Sequence, residues 1–261
     1  MESFSFRFLT IFLSIFIGSG FIYSAHADSR PEFGGVVNSS QNEDFQTTHQ
    51  TNGVGGVDTW ESVGPEWILQ SDSIGEQFRP YLGNGYMGVK IAGEGTNWNS
   101  DHAHFVADVW LEDLSKKPFY TEKQCATPKW SAIGLNNGER YFQKDNGQVR
   151  NYRQVQNLKQ GFLRTSCTWS DVGGKDIDID IVIFISRENS HLGVIRYSIV
   201  PRFSGPVHFK CMLDGDDIFY SGYFDKVESN LIEKGKGYDS KNQMIYSHTE
   251  TSLGIQLGML P

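Results

Sequence analysis

Carboxylates and imidazoles set close together are the residues in this chain whose types could do chemistry. Asp101-His102-Ala103-His104, with Asp108 nearby, has the composition of a metal cluster. On a strand, His102 and His104 would share a face and could ligate one ion together. The surrounding residues are polar, however, and the reading preferred here is a loop with surface histidines. Asp214-Gly215-Asp216-Asp217 resembles part of a calcium loop but lacks the closing bidentate glutamate, so it reads as a turn. Asp176, Asp178 and Asp180 alternate with isoleucines, the pattern of a solvated strand face rather than of a catalytic pair. Ser190-His191 has neither an orienting acid nor a nucleophile elbow. No catalytic residue, metal site or cofactor is expected from these clusters. Trp98, Trp110 and Trp130 could stack on sugar rings, and core packing accounts for them equally well.

The elements that must position these residues read as strands. Ile177, Ile179, Ile181, Ile183 and Ile185 point to one face of a long strand, with the three aspartates opposite. Val182 and Phe184 make its second half apolar on both faces, so this end should enter a covered interior. Gly173-Gly174 precedes it, and a turn over Arg187 to Ser190 follows. Leu192 to Val200 is the next strand, with Ile195, Tyr197 and Ile199 inward. After a break from Pro201 to Pro206, Val207 to Leu213 alternates again. Strands at this spacing, with polar turns between them, predict an all-β chain of antiparallel meanders packed as a sandwich. Cys167 and Cys211 fall on inward positions of such strands. With Cys125 they make an odd count, so buried free thiols are expected ahead of a disulfide.

The amino terminus has a different character. Phe8 to Tyr23 is an almost unbroken apolar run after the single cation Arg7, and Ala25-His26-Ala27 supplies the small residues of a cleavage site. That layout predicts a signal peptide over residues 1–27, cut between Ala27 and Asp28, and a secreted or periplasmic protein. The run is shorter than the roughly 20 residues that span a bilayer, so no membrane segment is expected after its removal. Residues 28–59 are rich in Gly, Ser, Asn, Gln and Thr and read as a flexible leader. Order is expected from residue 60 onward. The net charge of −8, with no basic run, excludes nucleic acid as a partner. An apolar run ends the chain at Pro261, from which a segment of something longer, or a reading frame cut short, is expected.

The most specific stretch is Leu82-Gly83-Asn84-Gly85-Tyr86-Met87-Gly88. Its glycines permit positive φ and close backbone approach, so the residues alone predict a hairpin turn feeding a strand. The spacing is wrong for a phosphate loop. The stretch resembles the L-G-N-G-Y-hydrophobic-G signature that opens glycoside hydrolase family 65. Gln156-Asn157-Leu158-Lys159-Gln160-Gly161-Phe162-Leu163-Arg164-Thr165 is similar to the family's L-D-x-x-x-G-x-L-x-R segment, with Asn157-Leu158 where a Leu-Asp pair is usual. Ile199-Val200-Pro201 and Met212-Leu213-Asp214-Gly215 resemble two later landmarks in the same order.

This resemblance implies that residues 60–261 form the family's N-terminal domain, a large antiparallel β-sandwich of the galactose mutarotase-like super-sandwich type. It implies a partner (α/α)6 barrel that carries the catalytic glutamate, whose motifs this sequence does not contain. The implied ligand is an α-linked glucose disaccharide or oligosaccharide, cleaved by water or by phosphate, and the implied assembly includes a homodimer. Gly83, Asn84, Gly85, Tyr86 and Gly88 would form the signature turn. By analogy with family loops that reach toward the barrel, Trp98, Asp101 and His102 would lie near substrate. A free-standing carbohydrate-binding module is the rival expectation.

Overall fold

A computed structural model describes residues 9–18, 64–75, 80–98, 100, 104–112, 122–214, 218–221, 225–228, 232–241, 244–250 and 256–260. The expected cleavage site at Ala27 and Asp28, the leader over 28–59, and Asp101 and His102 lie outside these residues. So do Gly215, Asp216 and Asp217.

The alternating run from Asp176 to Ile185 is a strand, β10, and it organises the rest. Its isoleucines at 177, 179, 181, 183 and 185 are all buried. It pairs in unbroken antiparallel register with β9 (Phe162–Asp171) on one side and β11 (Leu192–Pro201) on the other. β11 turns Ile195, Tyr197 and Ile199 inward, each at most 1% exposed. Beyond β9 come β8 (Gly147–Asn157) and β2 (Ile68–Ser71), which follows a 3-10 turn over Pro65–Trp67. The β8–β9 ladder slips between Arg150 and Arg153, where Asn151 takes φ 52°, a value asparagine tolerates and a bulge needs.

On the other side of β11 lies a strand in the segment read as a signal peptide. β1 (Leu9–Gly18) pairs with β11 from Leu9 opposite Ile199 to Phe16 opposite Leu192. β17 (Gln256–Leu260), β16 (Met244–Glu250) and β15 (Ile232–Asp239) complete a nine-stranded sheet in the order β15-β16-β17-β1-β11-β10-β9-β8-β2.

A four-stranded sheet holds β3 (Tyr81–Gly83), β4 (Met87–Lys90), β5 (His104–Glu112) and β6 (Glu122–Thr127) in sequence order. β7 (Lys129–Asn136) pairs with β12 (His208–Asp214), and β13 (Ile218–Ser221) with β14 (Asp225–Glu228). One apolar cluster draws Met87, Val89, Val106, Trp130 and Leu135 together with the inward residues of β9, β10 and β11. Burying such side chains contributes about 1.5–3 kcal/mol each, which is what holds the layers face to face. The expected all-β antiparallel sandwich is the fold observed.

Two expectations about β10 resolve differently. Val182 is 3% exposed, as a covered strand end requires, but Phe184 is 37% exposed and belongs to the surface. The three aspartates do sit on the solvated face, and they are not idle there. Asp176 pairs with Arg150, Asp178 with Arg202, and Asp180 with both Arg164 and Arg196. Cys167 is buried and free, and burial pushes its thiol up to about 12. Cys211 is half-buried and free, with its thiol pushed up to about 11 for the same reason.

A candidate cleft at the signature turn

The signature folds as the expected hairpin, with β3 and β4 as its arms. Gly85 takes φ 93°, a conformation that a Cβ would strain. Asn84 is the centre of the turn. Its Oδ1 accepts the backbone N–H groups of Tyr86 and Met87, both at 2.9 Å, which is the local Asx geometry its type favours. Its Nδ2 reaches across the molecule and donates to the carbonyls of Ser186 at 2.6 Å and Ser190 at 2.9 Å. One side chain therefore ties this hairpin to the turn between β10 and β11. Tyr86 adds a ring contact to His191 in that same turn, at 4.3 Å between centroids.

The glycines on the arms have a second purpose. Tyr81 lies across Gly83 and Gly88, and a Cβ at Gly88 would collide with its hydroxyl. An aromatic ring covering strand glycines replaces the packing those residues lack. The ring is nonetheless 49% exposed, so it is presented outward on a glycine floor. Burial of the inner side raises the hydroxyls of Tyr81 and Tyr86 above the ordinary value, so both stay neutral hydrogen-bonding groups.

The second resemblance segment comes to the same place. Gln156, on β8, donates from Nε2 to the carbonyl of Tyr81 at 2.6 Å. Asn157 shapes the following turn by accepting the N–H of Gln160 on its side chain and that of Gly161 on its carbonyl. Leu158 then hydrogen-bonds the carbonyl of Trp67 through its N–H. Between the two segments lies a cleft of about 430 Å3. Gly83, Gly85, Tyr86 and Gly88 line one wall, and Gln156, Asn157, Leu158 and Gly161 the other. Phe105 and Arg187 also border it. Arg187 is exposed, with no hydrogen-bond or ion-pair partner among the described residues. Trp67, Leu69, Tyr81 and Leu158 are all more than a third exposed, and Tyr81 and Leu158 line the cleft.

Among the described residues, no Asp, Glu or His lines the cleft, whereas glycosidic cleavage commonly uses two carboxyl groups flanking the bond. What the cleft offers is a flat aromatic ring, a cationic donor and neutral hydroxyls, with apolar surface at the edge.

The other residues singled out above lie elsewhere. Trp98 does not line the cleft. It packs against the backbone of Gly134, stacks on Tyr141 at 4.9 Å and has the Lys210 ammonium 5.8 Å from its ring centre. Trp130 is a core residue at 1% exposure, while the side chain of Trp110 is outside the described residues. His104 is a correction to the polar-loop reading. It begins β5, is fully buried, hydrogen-bonds Ser131 Oγ through Nε2 at 2.8 Å and meets the Trp130 ring edge-on. Sequence reasoning singled out neither Tyr81 nor Arg187 as a site residue. An aromatic residue two positions before a glycine-rich turn was the only signal for the first, and the second had none.

Comparison with known proteins adds a family to this geometry. The model of the N-terminal domain of glycosyl hydrolase family 65 matches residues 75–260. A kojibiose phosphorylase of Halothermothrix orenii is 27% identical over 187 residues, covering 66% of this chain and 23% of the relative. An alpha,alpha-trehalose phosphorylase of Thermoanaerobacter brockii is 30% identical over 92 residues, or 34% of this chain and 12% of that one. A solved structure described as a putative kojibiose phosphorylase from the human microbiome superposes with a TM-score of 0.59 at 12% identity, over 74% of this chain and 29% of that one. That likeness carries the fold, and the chain spans about a quarter of the length of the first relative. The family match takes in well over half of the residues and contains both walls of the cleft, so this chain belongs to glycosyl hydrolase family 65, as that family's N-terminal domain.

Proposed function

We propose that this chain is the sandwich unit of a protein acting on α-linked glucose disaccharides, and that by itself it cleaves nothing. Its role is to pack against a catalytic (α/α)6 barrel and to present the signature cleft toward it. The convergence of the two family segments on one cleft carries this reading. A stretch that served only as a turn would not need a second stretch, some seventy residues away in sequence, to complete it. A cleft wall without carboxylates among the described residues supports inactivity alone. The exposure of Trp67, Leu69, Tyr81 and Leu158 supports a docked neighbour, because large apolar side chains left in water favour burial.

Assays of the chain, and of the longest polypeptide that contains it, on kojibiose, trehalose, maltose and nigerose with and without phosphate test the proposal. The chain alone is expected to be inert, and the longer polypeptide to cleave at least one of the four sugars. Cleavage by the chain alone, or by neither, overturns it. The outward ring of Tyr81 and the exposed Arg187, both lining the cleft, favour a second reading, a carbohydrate-binding module that works free-standing. That reading requires saturable sugar binding by the chain alone, lost in Tyr81→Ala.

A further inference from the structure

The segment with the composition of a signal peptide is paired inside the sheet, and its residue pattern matches the place it occupies. β1 is fourth of nine strands and fills a one-strand slot between β17 and β11. Eight consecutive residues pair with β11 without a slip, and Phe16, Ile17 and Gly18 pair with Leu260, Met259 and Gly258 of β17. Directly opposed residues of an antiparallel pair lie on one face of the sheet. Leu9, Ile11, Leu13 and Ile15 are opposite Ile199, Tyr197, Ile195 and Gly193, all buried on the core side of β11. Thr10 and Ser14, the polar residues of the run, are opposite Ser198 and Val194 on the other face, which they share with Phe12 and Phe16, opposite Arg196 and Leu192. A signal sequence works through the apolar character of its run as a whole, and has no need to keep its two polar residues off the strand face that meets a core.

The register therefore points to a structural function, and we infer that Leu9–Gly18 is a permanent strand of this sandwich that the slot between β11 and β17 receives. The family match begins at residue 75, so this strand lies outside the matched residues. Removal of residues 1–27 would leave β15, β16 and β17 with no strand linking them to the other five, and would bare two strand edges facing each other. Unpaired edges of that kind recruit other chains. For any one molecule, retention of β1 and cleavage before Asp28 exclude each other. The inference does not rest on the proposed sugar chemistry.

Cysteine trapping in the full chain tests the register. Ser14→Cys with Val194→Cys places two thiols on opposed residues, where Cα separations of about 4.5–5.5 Å suit a disulfide. Ser14→Cys with Ser198→Cys is displaced four residues along the strand, roughly 13 Å, and serves as the mismatched control. With the chains made by cell-free synthesis without membranes, the matched pair is expected to cross-link at least about ten-fold more than the control. Equal or absent cross-linking overturns the inference. The face assignment is read separately by thermal unfolding. Leu13→Asn should lower the midpoint by about 5 °C or more, and Ser14→Asn should change it little. Equal effects of the two, or an intact mass from expressing cells showing that folded molecules begin at Asp28, would also overturn it.

Discussion

Asn84 shows how much one side chain can hold. It satisfies two backbone donors in its own turn and two carbonyl acceptors more than a hundred residues away in sequence. Asn84→Ala deletes all four bonds and leaves part-buried backbone groups without their partners. The expected cost is about 2–4 kcal/mol, read as a lower urea midpoint with an unchanged slope. Gly88→Ala acts differently, because the added methyl displaces Tyr81. Adding Tyr81→Ala to that variant should recover part of the lost stability, a non-additivity that a double-mutant cycle measures directly. Cys167 makes a third residue-scale case. Burial, followed by the nearby charges of Asp178 and Glu94, holds its thiol neutral up to about pH 12. A pKa raised in the folded state leaves stability intact below the unfolded value, near 9, and lost as pH climbs toward the folded one. Unfolding midpoints measured from pH 7 to pH 11 should therefore fall above about pH 9, and Cys167→Ala should make that fall shallower.

At the scale of elements, β10 has two faces that do different work. Its inner isoleucines supply burial, and Ile181→Ala should cost about 2–5 kcal/mol because the packed neighbours cannot close the cavity. Its outer aspartates hold a charge ladder to arginines on β8, β9 and β11 and to Arg202 just past the end of β11. These pairs are partly exposed, so Asp180→Asn should cost only about 0.5–1 kcal/mol, less in high salt, even though it releases both Arg164 and Arg196. The contrast between the two substitutions on one strand separates burial from ion pairing, and denaturation at two salt concentrations reads both. The turn after β9 has its own device. Burial works against the charge of Asp171, but hydrogen bonds from the Lys175 N–H, Asn137 Nδ2 and the Gly173 N–H win and hold its carboxyl below the ordinary range.

The whole molecule joins a family sandwich to a cleft lined by aromatic, amide and guanidinium groups and, among the described residues, by no carboxylate. If the cleft faces a catalytic barrel, Tyr81→Ala in the longest polypeptide should change KM or kcat on the cleaved disaccharide. It should do so without a loss of fold, checked by an unchanged circular dichroism spectrum and thermal midpoint. A purely structural role for the cleft predicts the reverse, loss of stability with kinetics intact in the molecules that remain folded.

Period-two alternation at β10, β11 and β12, the glycine punctuation between them and the hairpin at Asn84 were all legible from the residues. Each is local, and each is set by which side chains suit a pleated surface or a positive φ. The same local pattern placed Cys167 and Tyr197 inward. The tertiary structure alone decided which distant segments meet. The carbonyls that Asn84 reaches, the floor beneath Tyr81 and the Gln156 bond that closes the cleft depend on sheet order, which no window of sequence contains. It also gave one apolar run a second meaning. The apolar residues at 9–18 read as a signal segment from sequence, and only the tertiary structure pairs them with β11, because a local window does not contain the partner strand.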